Sequence, residues 1–178
     1  MATLTATQTT PDIDLWLGTH YTKGREGRRI DKILWHHNAG TLSIEQIHQV
    51  WQTREASAHF QIETGGRIGQ LVNLGDTAWH AGEWTANLTS VGIEHANSST
   101  GGDWPISDAT LDAGAKLTAS LCHTLDLGTP TLDVNVFPHR TFQATACPGP
   151  YFVAHLDDQI NRARVYYDQM GAGTAPAE

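Results

Sequence analysis

IDKILWHHNAG, residues 30–40, carries an unbroken apolar run, Ile33-Leu34-Trp35, that a histidine doublet and then Asn38-Ala39-Gly40 bring to a stop. A β-branched and aromatic run bounded by a turn signal predicts a buried β-strand over Ile30–His37. Strand alternation sends neighbouring side chains to opposite faces, so only one of His36 and His37 can readily serve a given site. Trp35, on the face away from His36, is expected in the core.

Downstream, Ser43-Ile44-Glu45-Gln46 has capping-box spacing, and Ile44, Ile47, His48 and Trp51 recur at helical intervals. A helix of roughly three turns is predicted there. AHFQIE (58–63) and RIGQLV (67–72) flank Gly65-Gly66 and read as a hairpin. A Trp- and Gly-rich loop (78–87) leads to a strand over Ser90–Ala96. The stretch 107–127 predicts a helix stopped by Gly128, with Leu111, Ala115, Thr118, Leu121, Cys122 and Leu125 on its buried face. A short strand over Val134–Phe137 and a last helix over Tyr151–Met170, stopped by Gly171, complete the chain. The order β-α-β-β-β-α-β-α implies an α/β fold, a single domain with a central mixed β-sheet flanked by helices. Residues 1–20 are expected to be a flexible lead, 21–170 the domain, and 171–178 a linker-like tail.

Composition excludes several classes. The 178 residues suffice for one compact domain, and the net charge of −8 comes without a basic run that would suit nucleic acid. No stretch approaches the roughly 18 apolar residues that span a bilayer. The polar, Thr-rich start lacks the basic and apolar regions of a signal peptide, so synthesis in a cytoplasm is expected. Nothing demands more than a monomer. The 10 histidines and 6 tryptophans are many for this length; histidine suits zinc and proton transfer, and tryptophan offers a flat surface to sugars.

His36 or His37 at the strand end, His139 in the loop after the short strand, and Cys147 in ACPG (146–149) are three N/S donors from separate segments. Three ligands without an evident fourth match a catalytic zinc, which keeps a position for water; packing histidines are the competing reading. Glu94 lies in an apolar strand, SVGIEHA, where a lone carboxylate is costly unless paired or functional. It is the candidate general base, unless it simply reaches water at the strand end.

Five ordered blocks, WHHNAG (35–40), SAHFQIETGG (57–66), TAWHAG (77–82), NLTSVGIE (87–94) and HRTFQATACPG (139–149), resemble the zinc-dependent N-acetylmuramoyl-L-alanine amidases. These include phage endolysins, cell-wall recycling amidases and animal peptidoglycan-recognition proteins. The resemblance implies Zn2+ held by His36, His139 and Cys147, with Glu94 as catalytic base and Thr145 assisting at the oxyanion. It also implies His37, His59, His80 and Asn87 as substrate contacts, bacterial peptidoglycan or muropeptide as substrate, and a lytic phage role or a recycling role. Two positions depart from some relatives: Ala58 stands where phage-lysozyme members carry Tyr, and Thr145 where others carry Lys. A binding module without turnover and a zinc peptidase acting within the stem peptide are the rival functions.

Overall fold

A computed structural model of the protein describes residues 9–172. In chain order the first half contains β1 (Ile13–Asp14), β2 (Tyr21–Thr22), β3 (Lys32–His37), α1 (Ile44–Thr53), β4 (Phe60–Ile62), β5 (Ile68–Gln70) and β6 (Thr77–Ala78). The second half contains α2 (Trp84–Thr89), β7 (Ser90–His95), α3 (Asp108–Thr124), β8 (Val136–Pro138), a 3-10 turn (His139–Thr141), α4 (Pro150–Ala154) and α5 (Leu156–Ala172). The main sheet runs β1-β5-β4-β7-β3-β8, and β2 and β6 form a separate ribbon. Only β4 and β5 pair antiparallel in the main sheet; every other neighbour is parallel, so the sheet is mixed as expected.

β3 and β7, interior and parallel, are buried on both faces, which is why they read as nearly continuous apolar runs. On one face Ile33, Trp35, Val91 and Ile93 meet Leu111, Leu117 and Leu121 of α3, and Phe152 of α4 stacks on Trp35 at 5.5 Å. α5 packs along α3, with Ile160 buried between them. The other face is covered at one end by α1, whose Ile44, Ile47 and Trp51 join Leu17, Ala58, Leu71 and Ala78. The hairpin turn needs glycine: Gly66 has φ +86°, and a Cβ there would sit 2.8 Å from the Ala109 carbonyl oxygen.

α1 starts on the predicted capping box. Ser43 Oγ accepts the Gln46 N–H at 3.2 Å, and Gln46 Oε1 accepts the Ser43 N–H at 2.9 Å. Ser43→Ala leaves both ends of that exchange weakened and should cost about 1 kcal/mol in urea unfolding. An effect within error would mean that tertiary packing alone sets this helix start.

Four boundaries differ from the sequence reading. The domain begins earlier than residue 21: β1 joins the sheet edge, Asp12 accepts the Ile68 N–H, and Leu17 is buried. Residues 1–8 of the expected lead lie outside the described residues. The 78–87 loop contains the start of α2, capped by Glu83, whose two carboxylate oxygens accept the N–H groups of Thr85 and Ala86. α3 ends before Gly128 because Asp126 takes up the left-handed turn, with φ +54°. The last helix breaks at His155 and then continues through Gly171 to Ala172, so Gly171 does not stop it. The rest of the expected tail, 173–178, lies outside the described residues.

Candidate metal centre and cleft

Register places the site. His36 on β3 pairs with Glu94 on β7, and Trp35 with Ile93, so the polar pair shares one face and the apolar pair the other. At the carboxyl ends of these parallel strands a cleft of about 320 Å³ opens, lined by His36, His37, Asn38, Trp51, Arg54, Trp79, His80, Glu94, His139, Thr145 and Cys147. A larger open hollow, about 580 Å³, lies between residues 27–31 and 125–127 and has no histidine or cysteine, so the chemistry belongs to the smaller one.

His36, His139 and Cys147 each bring one donor atom within 4.8 Å of the others. β3 delivers the first, the 3-10 turn after β8 the second, and the loop before α4 the third. His36 Nδ1 faces Cys147 Sγ at 3.7 Å, and the rings of His36 and His139 are 4.3 Å apart. Both ring nitrogens of His139 are shielded from solvent and make no well-formed hydrogen bond, though the Ala81 backbone and the Gln143 side chain lie near enough to oppose the effect of burial on the ring. Orphaned imidazole nitrogens beside a thiol are what a soft or borderline cation would satisfy, and the donor set suits Zn2+. Burial and the neighbouring histidines hold His36 well below its ordinary pKa, and burial lowers His139, so both rings are neutral at pH 7. Burial, and then the Glu94 carboxylate, raise the Cys147 thiol, whereas the His37 N–H pointing at Sγ at 3.4 Å lowers it.

Glu94 is half-buried on the cleft floor. Desolvation pushes its carboxyl up to about 7, against the Arg54 charge and a hydrogen bond from Asn38. Asn38 Nδ2 donates to Glu94 Oε2 at 3.2 Å and to Gln61 Oε1 at 2.9 Å, and Gln61 Nε2 donates back to Asn38 Oδ1 at 2.7 Å. Gln61 Nε2 also faces the Leu42 and Ile62 carbonyls, which can only accept, and this sets the direction of the amide pair and turns the Asn38 N–H toward the carboxylate. Thr145 Oγ1 accepts the Cys147 N–H at 3.2 Å, which leaves its own hydroxyl proton free to donate into the cleft.

The family model for N-acetylmuramoyl-L-alanine amidase matches residues 26–150, from before β3 to the start of α4. The chain belongs to this amidase family. The solved structure of the Staphylococcus aureus hydrolase AmiA, in complex with its ligand, is similar with a TM-score of 0.75 at 17% identity, covering 95% of this chain and 89% of that one. An endolysin amidase, LysCS from Clostridium intestinale, gives 0.63 at 15% identity, covering 85% and 97%. The catalytic domain of XlyA gives 0.65 at 20% identity, covering 84% and 98%. At these identities the likeness is one of fold. Comparison with curated protein sequences returns no match.

Within this family member, the expected substrate contacts divide. His37 lines the cleft, with its Nδ1 unpaired and its ring edge-on to Trp104 at 5.9 Å. His80 also reaches the cleft wall, but both its nitrogens are engaged, one by His36 and one by Ser90, so it has no free N–H to offer a substrate. His59 does not reach the cleft. It is fully buried, its nitrogens meet Arg25, the Asp76 carbonyl and the Gly92 N–H, and burial beside Arg25 pushes it down to about 3. Asn87 is buried too: its Oδ1 accepts the N–H groups of His80 at 3.0 Å and Ala81 at 2.7 Å, so it shapes the loop, and it does not line the cleft. Of the two loop tryptophans, Trp79 lines the cleft and Trp84 faces solvent outside it. The sequence reading gave Trp51 and Asn38 only a helix and a turn position and gave Arg54 and Gln61 no part in the site; Trp51, Arg54 and Asn38 line the cleft, and Gln61 supports Asn38.

Proposed function

We propose that this chain is a zinc hydrolase that cuts the amide between the lactyl group of N-acetylmuramic acid and L-alanine in peptidoglycan. The observation that carries the reading is the convergence of His36, His139 and Cys147 at the floor of a cleft that Glu94 also lines. Family membership supports the substrate class. A zinc ion in that donor set supplies Lewis acidity toward the scissile carbonyl and toward water.

The chain's own groups supply the remainder. Glu94, with a pKa brought near neutrality, accepts a proton from the attacking water and returns it to the departing L-alanine amine. Asn38 orients the carboxylate, and Arg54 favours its ionised form. The Thr145 hydroxyl donates to the developing oxyanion, a neutral hydrogen bond where a lysine would give a charge-assisted one. His37, with an unpaired Nδ1, and the Trp51 and Trp79 rings face the space a glycan-peptide would fill. The domain acts as a monomer in this reading, and a lytic phage role is favoured by the endolysins among its structural neighbours. No helix among the described residues is long and apolar enough to cross a membrane.

Purified protein on cell-wall sacculi tests the reading. Turnover should release new L-alanine amino termini, stop on chelation and return with Zn2+, and mass spectrometry should find free lactyl carboxyl groups on the sugars. Turnover indifferent to chelator, cuts confined to the stem peptide, or binding without turnover would each defeat it.

A further inference from the structure

Behind His36 lies a hydrogen-bond chain whose direction can be worked out from one end. Ser90, fully buried at the junction of α2 and β7, has its Oγ 2.5 Å from the Ala86 carbonyl oxygen. A carbonyl cannot donate, so the single Ser90 hydroxyl proton lies in that contact. Ser90 Oγ is then an acceptor toward His80 Nε2, 3.2 Å away, and His80 must carry its proton on Nε2. A neutral imidazole has one N–H, which leaves His80 Nδ1 as a bare lone pair. That nitrogen is 3.0 Å from His36 Nε2, so His36 donates, and its own lone pair is left on Nδ1, the atom that faces Cys147 Sγ.

We infer that Ser90 and His80 are positioning residues that lock His36 in the tautomer able to ligate a metal through Nδ1. The inference rests on the proposed role of His36 as a ligand. The chain calls for a neutral His80, and its surroundings offer no carboxylate to hold a second proton: its two nitrogens meet only His36 and Ser90. Its placement is over-determined. Asn87 holds the backbone N–H of His80, and Gly92 leaves room for the ring, since a Cβ there would lie 2.6 Å from His80 Cγ. Outer partners of this kind orient a ligand histidine and raise its basicity, and losing one typically costs 10–100-fold in metal affinity. The usual outer partner is a carboxylate or carbonyl; here a second imidazole relays a backbone carbonyl through a serine.

The decisive measurement needs no metal and no mutation. Long-range 1H–15N correlation spectra of metal-free protein report which ring nitrogen of each histidine is protonated. Nε2–H tautomers at both His36 and His80 are expected; an Nδ1–H tautomer at either overturns the inference. Zinc competition against a chromogenic chelator supplies the second arm. Ser90→Ala should weaken Zn2+ affinity about 10-fold or more and His80→Ala at least as much. His80→Asn, which keeps an acceptor near the Nδ1 position, should recover part of the loss. Equal affinity in wild type and Ser90→Ala would reject the coupling. Wild type that binds no Zn2+ would instead reject the metal centre itself, so the two failures are distinct.

Discussion

Glu94→Gln is expected to lower turnover on sacculi by about 10²-fold or more while zinc stoichiometry stays unchanged, since a positioned general base typically contributes 10²–10⁴-fold. The substitution keeps the shape and removes the basicity. Its amide can still meet the Asn38 N–H through oxygen, so the Asn38–Gln61 pair and the neighbouring His36 strand need not move. No other carboxylate lines the cleft among the described residues, so no substitute base is at hand. The wild-type pH profile should carry the same signature. A carboxyl raised to about 7 is neutral below that pH and ionised above it, so kcat/KM should rise with pH through this region. A bound cation favours the ionised form and moves the acid limb lower. The Gln variant should lose the limb; a limb that persists unchanged would assign it to another group.

β3 was legible because interior parallel strands are apolar on both faces, and the α1 start because its cap is local, three residues from Ser43 to Gln46. Alternation along β3 also separated Trp35 from His36, and the structure keeps them on opposite faces. What escaped depends on contacts distant in sequence. Arg25 is buried with its guanidinium against the carbonyls of Leu74, Leu88 and Ser90, and carbonyl partners leave no residue pattern to read. Gln61 reads as an ordinary polar position of a hairpin, and only its register beside Glu94 across β4 and β7, with its amide paired to Asn38, gives it a role. The resemblance implied a substrate contact at His59, which the structure buries away from the cleft, and the strand pattern offered no check on it. With both sheet faces covered, alternation sorts side chains between two interiors and does not tell cleft from core. α2 was missed because its cap is Glu83, outside the usual Ser, Thr, Asp and Asn set.

Cys147→Ser is expected to weaken Zn2+ binding by more than the 10–100-fold that loss of an outer partner costs, because it removes a ligand atom and a charge. In the metal-free protein the site is electrically quiet: the His36 and His139 rings are neutral, and the thiol is raised by burial and by Glu94. Zinc takes the thiolate, so binding must expel the thiol proton, and affinity should rise with pH as that proton becomes easier to lose. A serine hydroxyl has no comparable ionisation, so the variant should lose most of this pH dependence along with the affinity. Stability gives an independent readout, since a ligand that binds only the folded state stabilises it by RT ln(1 + [L]/Kd). Added Zn2+ should therefore raise the wild-type Tm and leave Cys147→Ser close to its metal-free value. Cys122 provides the internal control: it is buried in the α3 core, its thiol is pushed up to about 12 by burial, and it is absent from the cleft. Cys122→Ala should lower stability through lost packing while retaining the zinc-dependent Tm gain. A Cys147→Ser protein with the full wild-type gain would mean that the cation, if one binds, is held elsewhere.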